Sequence, residues 1–134
     1  MFKAPVEEIA FALNQIADLS SDIAKGRDGE LSDDLVNAIL EEGGKFASEE
    51  IAPMMATGDE HGSQLVDKGV VQTPPGWKEL YTRWREGGWN SLSSEEEFGG
   101  QGLPNLMSVA AQEMWNAGSV GFGLCRTLTI GAVE

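Results

Sequence analysis

The sequence has little of what metal-binding and disulfide-bonded proteins require. It holds one cysteine, Cys125, and one histidine, His61, among 134 residues. A lone cysteine excludes an internal disulfide, and neither residue has a second Cys or His close in the sequence with which to hold a metal ion. We therefore expect no metal site, with His61 as a surface side chain and Cys125 as a small apolar side chain packed in its run.

Basic residues are also scarce. The chain has 9 Lys and Arg against 22 Asp and Glu, which gives a net charge of −13. Nucleic acids and anionic membranes are bound by clustered Lys and Arg, so we expect neither as a partner. No apolar run is long enough to span a bilayer, and the N-terminal MFKAPVEEIAFAL is unlike a secretory signal. Together with the single cysteine, these features predict a cytoplasmic protein.

The apolar residues recur mainly at helical spacing, which predicts an all-α fold with at most one short β ribbon. One domain covering residues 1–134 suits this length. We expect helices over approximately 5–19, 32–53, 73–87, 104–118 and 120–133. Ser32 is a predicted N-cap, LVDKGVV (65–71) a predicted hairpin packed on the helices, and MATGDEHGSQ (55–64) a predicted loop. AKGRDGEL (24–31) is a second predicted loop.

Three helices have predicted buried faces. These faces comprise Leu35, Ile39, Phe46 and Ile51 on the second helix; Trp77, Leu80, Tyr81 and Trp84 on the third; and Leu106, Val109, Ala110, Glu113 and Met114 on the fourth. Gly43 and Gly44 fall inside the second helix, where each costs about 1 kcal/mol relative to Ala, so we expect a closely approaching neighbour. Trp77, Trp84, Trp89 and Trp115 are predicted core residues because no Lys and Arg alternate with them as on a base-stacking surface.

The glycine-rich stretch EEFGGQGLPN (96–105) raises the possibility of a phosphate-binding loop. A dinucleotide fingerprint needs a preceding β-strand and the order GxGxxG, and a P-loop needs a following Lys. Here SSEEE precedes the glycines, the order is GGQG, and no Lys follows. We therefore predict a structural turn that leads into a helix.

The last run, VGFGLCRTLTIGAVE (120–134), is apolar on more than one face. A helix of this kind is buried on several sides, and no later segment in this sequence covers it. We expect the chain to be part of a longer protein or to form a homo-oligomer through this helix.

Several blocks, taken together and in order, resemble the N-terminal helical domain of acyl-CoA dehydrogenases. The blocks are APVEEIAFALNQIADL, LEEGGKFASEEIAPMMATGDEHG, TPPGWKELYTRWREGGWNSL, EFGGQGLP and EMWNAGSVGFGLCRTLTIGAVE. They cover essentially the whole chain, and GGWNSL…EFGGQGLP is the most specific part. The opening APVEEIAFALNQI is similar to the longer branch of the family, which includes the 3-methylmercaptopropionyl-CoA dehydrogenases.

The resemblance implies an α,β-dehydrogenation of an acyl-CoA thioester by an FAD enzyme. In the family, a β domain and a C-terminal helical domain follow, the flavin lies between them, and a glutamate acts as base. This chain stops before those domains, so the resemblance implies an inactive fragment with no catalytic residue and no FAD of its own.

The resemblance also implies that the last helix lines the acyl slot. The implied pocket walls are Phe122, Leu124, Cys125, Leu128 and Thr129. Core or domain-interface packing would need the same residue types, so that alternative stays open. A second class of function also stays open, namely a free-standing helical interaction module without catalysis.

Overall fold

The computed structural model describes residues 1–26 and 31–133, without the side chains of Ile130 and Val133. Within these residues the all-α prediction with one short β ribbon is confirmed. The α-helices are α1 (Val6–Phe11), α2 (Leu19–Ala24), α3 (Asp33–Phe46), α4 (Met54–His61), α5 (Trp77–Glu86), α6 (Asn105–Gly118) and α7 (Val120–Val133). None of these described helices has the length and apolar character that a membrane crossing needs.

The first predicted helix is interrupted rather than continuous. α1 passes into a π-helical segment, Ala12–Ile16, and the chain then turns at Asp18, whose φ of 59° is left-handed. Asp tolerates this conformation better than most residues because its short side chain can bond locally. A separate helix, α2, lies between the predicted end of the first helix and the predicted loop 24–31. Residues 27–30 of that loop lie outside the described part.

Helix α3 begins as predicted, and its predicted buried face is confirmed in part: Ile51 is buried, and Ile39 and Phe46 are half-buried. The Ser32 Oγ accepts the Leu35 amide at 3.2 Å, which confirms the cap. Leu35, predicted to be buried, is 42% exposed. The buried positions of α3 and of the π-helical segment Ala47–Ile51 that continues it are Val36, Leu40, Gly43, Gly44, Ala47 and Ile51. Small residues mark this face because α6 packs closely against it.

The predicted loop after Pro53 is wrong, since residues 54–61 form α4. The Trp77 indole Nε1 donates to the Met54 carbonyl at 3.2 Å, and the Trp77 ring lies directly against Gly58. This tertiary contact stabilises a helix in a segment whose polar composition favours a turn.

The hairpin prediction is confirmed, with β1 (Gln64–Asp67) antiparallel to β2 (Val70–Gln72). All seven strand residues are exposed, so the expected packing of the hairpin on the helices is wrong. Within the ribbon, Leu65 lies opposite Val71.

Helices α5 and α6 contribute the centre of the core. Leu80 and Trp84 are buried as predicted, whereas Tyr81 is 42% exposed. On α6, Ala110 and Met114 are buried as predicted, but Val109 is 58% exposed and Glu113 is also exposed. Met107, Ala111 and Trp115 complete the buried face instead.

Candidate functional site

Helix α7 presents two different stripes to its surroundings. Successive residues of a helix are rotated by about 100°, so positions four apart share a face and positions two apart lie on opposite sides. Phe122 and Arg126 are 4% and 6% exposed, whereas Leu124 and Leu128 are 56% and 85% exposed. The inward stripe is therefore one aromatic and one cationic side chain, and the outward stripe is aliphatic.

Phe122 belongs to the core of the described chain. Its ring packs edge-on against Trp77 and Trp84, with centroid distances of 6.1 and 5.9 Å. Trp84 packs edge-on against Trp115 at 5.4 Å, and Trp115 against Trp89 at 5.8 Å. Edge-to-face aromatic pairs at these distances stabilise beyond the area they bury. The prediction that the tryptophans are core residues is confirmed for Trp84 and Trp115, whereas Trp77 and Trp89 are half-buried and pack against the core.

Arg126 is held by α6 through three contacts. Its Nη2 donates to the Ser108 Oγ at 2.8 Å, and its Nη1 donates to the Gln112 Oε1 at 3.4 Å. The guanidinium carbon lies 5.7 Å from the centroid of the Trp115 ring, within the range of a cation–π interaction. A planar guanidinium suits this combination of two hydrogen bonds and a ring face.

The same polar network continues along α6. The Gln112 Nε2 donates to the Asn116 Oδ1 and to the Gly123 carbonyl, each at 3.0 Å. A methyl group at Gly123 would collide with Asn116. The network therefore requires close approach of the two helices, which Gly123 permits.

Two shallow clefts adjoin α6. One, of about 370 Å³, is lined by α6 and α7 and contains Arg126, Gln112, Asn116 and the exposed Glu113. The other, of about 340 Å³, is mainly apolar and lies between α6 and the first helical segment, with Ile9, Leu13 and Val109 in its walls. Both clefts are open to solvent.

Cys125 and Thr129 lie on the exposed side of α7. The expectation that Cys125 is a packed core side chain is therefore wrong. Partial burial still raises the pKa of its thiol, and a hydrogen bond from its own backbone amide to the sulfur opposes this shift. Its Sγ lies 3.8 Å from the Gly121 carbonyl oxygen. A raised pKa keeps the thiol protonated and makes it a weak nucleophile at neutral pH.

The glycine stretch forms a turn, as predicted. All backbone amides from residue 99 to residue 103 donate to carbonyl oxygens of the preceding loop, at 2.9 to 3.0 Å. The acceptors, in that order, are Glu96, Glu95, Ser91, Ser94 and Leu92. A phosphate loop binds its ligand with such amides, and here they are already used within the turn.

His61 is exposed, as predicted, with its Nδ1 3.1 Å from the Thr57 carbonyl oxygen. In the ranges 1–26 and 31–133, no three His, Cys, Asp or Glu residues are arranged to hold a metal ion.

The five predicted pocket residues do not form one surface. Leu124 and Leu128 share the outward face, Cys125 and Thr129 lie on exposed positions beside it, and Phe122 points into the core. Sequence reasoning considered Arg126 only as one possible partner of Glu113 and did not predict the contacts with Ser108 and Gln112 that hold α7 on α6. The available signal was a lone cation in an apolar run, four residues after Phe122 and thus on the same helical face.

Comparison with known proteins agrees with this architecture. Residues 33–133 match the family described as the N-terminal domain of acyl-CoA dehydrogenases. Over 133 residues, 99% of this chain, the sequence is 39% identical to a 3-methylmercaptopropionyl-CoA dehydrogenase from Ruegeria pomeroyi. The chain spans only 22% of that relative's length. The resemblance of the sequence is confirmed: the chain belongs to the acyl-CoA dehydrogenase family and corresponds to its N-terminal helical domain.

Proposed function

We propose that this chain is the N-terminal portion of an FAD-dependent acyl-CoA dehydrogenase and that the outward face of α7 forms part of the acyl-chain wall. The observation that carries the proposal is the outward stripe itself. Leu124 and Leu128 are exposed and apolar on a helix whose other face is anchored by Phe122 and Arg126. Apolar side chains on a rigid support are what a slot for a hydrocarbon chain requires.

The flavin and the base belong, in this proposal, to the remainder of such an enzyme. The amides of the glycine turn are used internally, so this turn does not fit the pyrophosphate of FAD. When bound elsewhere in the enzyme, FAD would accept the hydride from the acyl β-carbon. The role left to this chain is to shape the slot and exclude water, and the chain alone is proposed to be colourless and inactive.

The substrate class proposed is an acyl-CoA thioester. The name of the Ruegeria pomeroyi relative specifies 3-methylmercaptopropionyl-CoA, and a slot wall built from leucines suits a short apolar acyl group of that kind. The predicted cytoplasmic location stays a prediction.

A chimera tests the proposal. The matching segment of the Ruegeria pomeroyi enzyme is replaced by this chain, and flavin content and acyl-CoA oxidation are measured. We expect a flavin-loaded, active chimera. Leu128→Glu should raise KM for acyl-CoA about tenfold or more at unchanged flavin content, because burying an unpaired carboxylate in an apolar slot costs several kcal/mol.

Leu65→Glu is the matched control. Leu65 is 73% exposed, similar to the 85% of Leu128, but lies on the hairpin. This control should leave KM unchanged. A correctly folded, flavin-loaded chimera that oxidises no acyl-CoA would argue for the alternative, a helical interaction module without catalysis. Flavin bound by the 134-residue chain alone would contradict the proposed division of labour.

We also propose that the isolated chain forms a homo-oligomer through the outward face of α7. Exposed apolar patches rarely persist on monomers. Leu124 and Leu128 are available for such a contact, whereas Phe122 is inside the core. Sedimentation over a concentration series tests this proposal: Leu128→Glu should weaken the association, and the control Leu65→Glu should not. A concentration-independent monomer would contradict it.

A further inference from the structure

We infer that Arg126 is a positioning residue: it fixes the rotation of α7 on α6 and thereby decides which side chains reach the outward face. The inference rests on the proposed function only where that face is called an acyl-chain wall. The rotation itself can be tested without any substrate.

The need for a rotational lock follows from the composition of α7. Apolar side chains occupy both the inward stripe, with Phe122, and the outward stripe, with Leu124 and Leu128. Burial of apolar area is non-directional, so it distinguishes these stripes weakly. A half-turn of α7 would bury the aliphatic side chains of Leu124 and Leu128 and would present a different face to solvent.

Arg126 removes this ambiguity because its contacts are directional. Its guanidinium donates to the Ser108 hydroxyl at 2.8 Å and to the side-chain amide oxygen of Gln112 at 3.4 Å, and it lies against the Trp115 ring. Ser108 and Gln112 are one helical turn apart on α6, so together they fix both the height and the rotation of Arg126. If α7 rotated, the buried Arg126 and Ser108 would lose their partners, and this cost would add to the loss of the ring contacts of Phe122.

A second contact on α7 points the same way. The Gly123 carbonyl accepts the Gln112 Nε2 at 3.0 Å, and the absence of a side chain at Gly123 leaves room for Asn116. Gln112 thus bonds two α7 positions, Arg126 by its side chain and Gly123 by its backbone. The two helices are therefore joined by hydrogen bonds at two positions of α7 and not by one ion pair.

Cys125 reports the rotation directly. It precedes Arg126 and is the one cysteine of the sequence, and its partial burial raises the pKa of its thiol. The test measures the rate at which a small aromatic disulfide reagent modifies Cys125 in the folded 134-residue chain near neutral pH. Arg126→Met should raise this rate about threefold or more, because release of α7 from α6 removes the partial burial of the thiol and so increases the fraction of thiolate, which is the reacting species.

Matched variants separate positioning from general loss of stability. Arg126→Lys keeps the charge and should restore part of the slow rate, although it cannot bond two acceptors in one plane. Ser108→Ala removes one of the hydrogen bonds of Arg126 and should raise the rate less than Arg126→Met does. The double variant should react no faster than Arg126→Met alone. Val36→Ala, a core truncation on α3 at a position 1% exposed, should leave the rate unchanged.

The inference is overturned if Arg126→Met and Ser108→Ala both retain the wild-type rate, or if Val36→Ala raises it equally. If Arg126→Met does not fold, Ser108→Ala alone decides by the same criterion. Failure of the chimera would overturn the proposed enzyme function while these thiol rates still decide the role of Arg126.

Discussion

Two pairs of adjacent glycines, Gly43–Gly44 and Gly99–Gly100, have identical composition and different roles. The first pair lies inside α3 and faces the Met114 side chain of α6. The second pair lies in the turn before α6, where its amides bond to the preceding loop. In α3 the absence of a side chain permits two helices to approach; in the turn it permits the backbone to fold on itself. The comparison shows that a glycine pair has to be interpreted from its neighbours.

The largest effect is expected at Gly100. A methyl group there would collide with the carbonyl group of Ser94, and backbone cannot move aside as a side chain can. Gly100→Ala should lower the free energy of unfolding by about 3 kcal/mol or more. Gly100 does not have a positive φ, so the expected loss comes from this collision with Ser94 and not from backbone strain. Urea unfolding measures the loss; a loss below that of Gly99→Ala would contradict the collision.

Gly44→Ala should come next. The added methyl would meet the Val6 Cγ2 closely and the Ala4 Cβ at 3.4 Å. Val6 is β-branched and adjusts poorly, so we expect a net loss of about 1–2 kcal/mol after the gain of about 1 kcal/mol in helix propensity. The double variant Gly44→Ala/Val6→Ala should recover part of this loss. Additive effects of the two changes would show that the contact with Val6 is not the cause.

Gly99→Ala should cost about 1 kcal/mol, through backbone strain alone. Gly99 has a φ of 83°, and no atom lies within 4 Å of an added methyl group. Gly99→Asn serves as the control, because Asn tolerates the left-handed region and should lose less than Ala. Equal losses for Ala and Asn would indicate a steric cause instead.

The smallest effect is expected at Gly43. An added methyl would lie 3.2 Å from the Met114 Cε, the end of a flexible side chain that can shift. The gain of about 1 kcal/mol from replacing Gly in a helix interior should offset this contact, so Gly43→Ala should change stability by less than about 0.5 kcal/mol. Thermal unfolding of Gly43→Ala and Gly44→Ala under the same conditions compares the stability changes at the two positions of the pair. A loss as large as that of Gly44→Ala would show that Met114 cannot move.

The sequence predicts where helices lie better than which of their faces are buried. The cap at Ser32 and the end of α5 before Gly87 carry local chemical signals, and both appear in the structure. The prediction of the buried face of α3 is correct at Ile51 and wrong at Leu35, because large apolar residues indicate a buried face in the sequence and small residues such as glycine do not. Gly43 and Gly44 are buried because α6 approaches there, and that approach is a property of two segments rather than one.

The same limit applies to α7. The sequence shows that α7 is a helix but not which of its faces is buried, because Phe122 and Leu124 are both apolar and lie on opposite sides of the helix. Contacts with other segments distinguish the two faces, among them those of Arg126 with Ser108 and Gln112 on α6. Helix α4 was missed for a related reason: its stabilising contact is with Trp77, which lies 23 residues from Met54 in the sequence.

The ring contacts around Phe122 have an optical consequence. All four tryptophans lie on one continuous path of aromatic neighbours, from Phe46 through Trp89, Trp115, Trp84 and Phe122 to Trp77. Indoles this close should couple electronically and exchange excitation, so near-ultraviolet circular dichroism and fluorescence anisotropy should respond to the group as a whole. These spectra should therefore report on the packing of α5, α6 and α7. They should not report on the hairpin strands, which contain no aromatic residue.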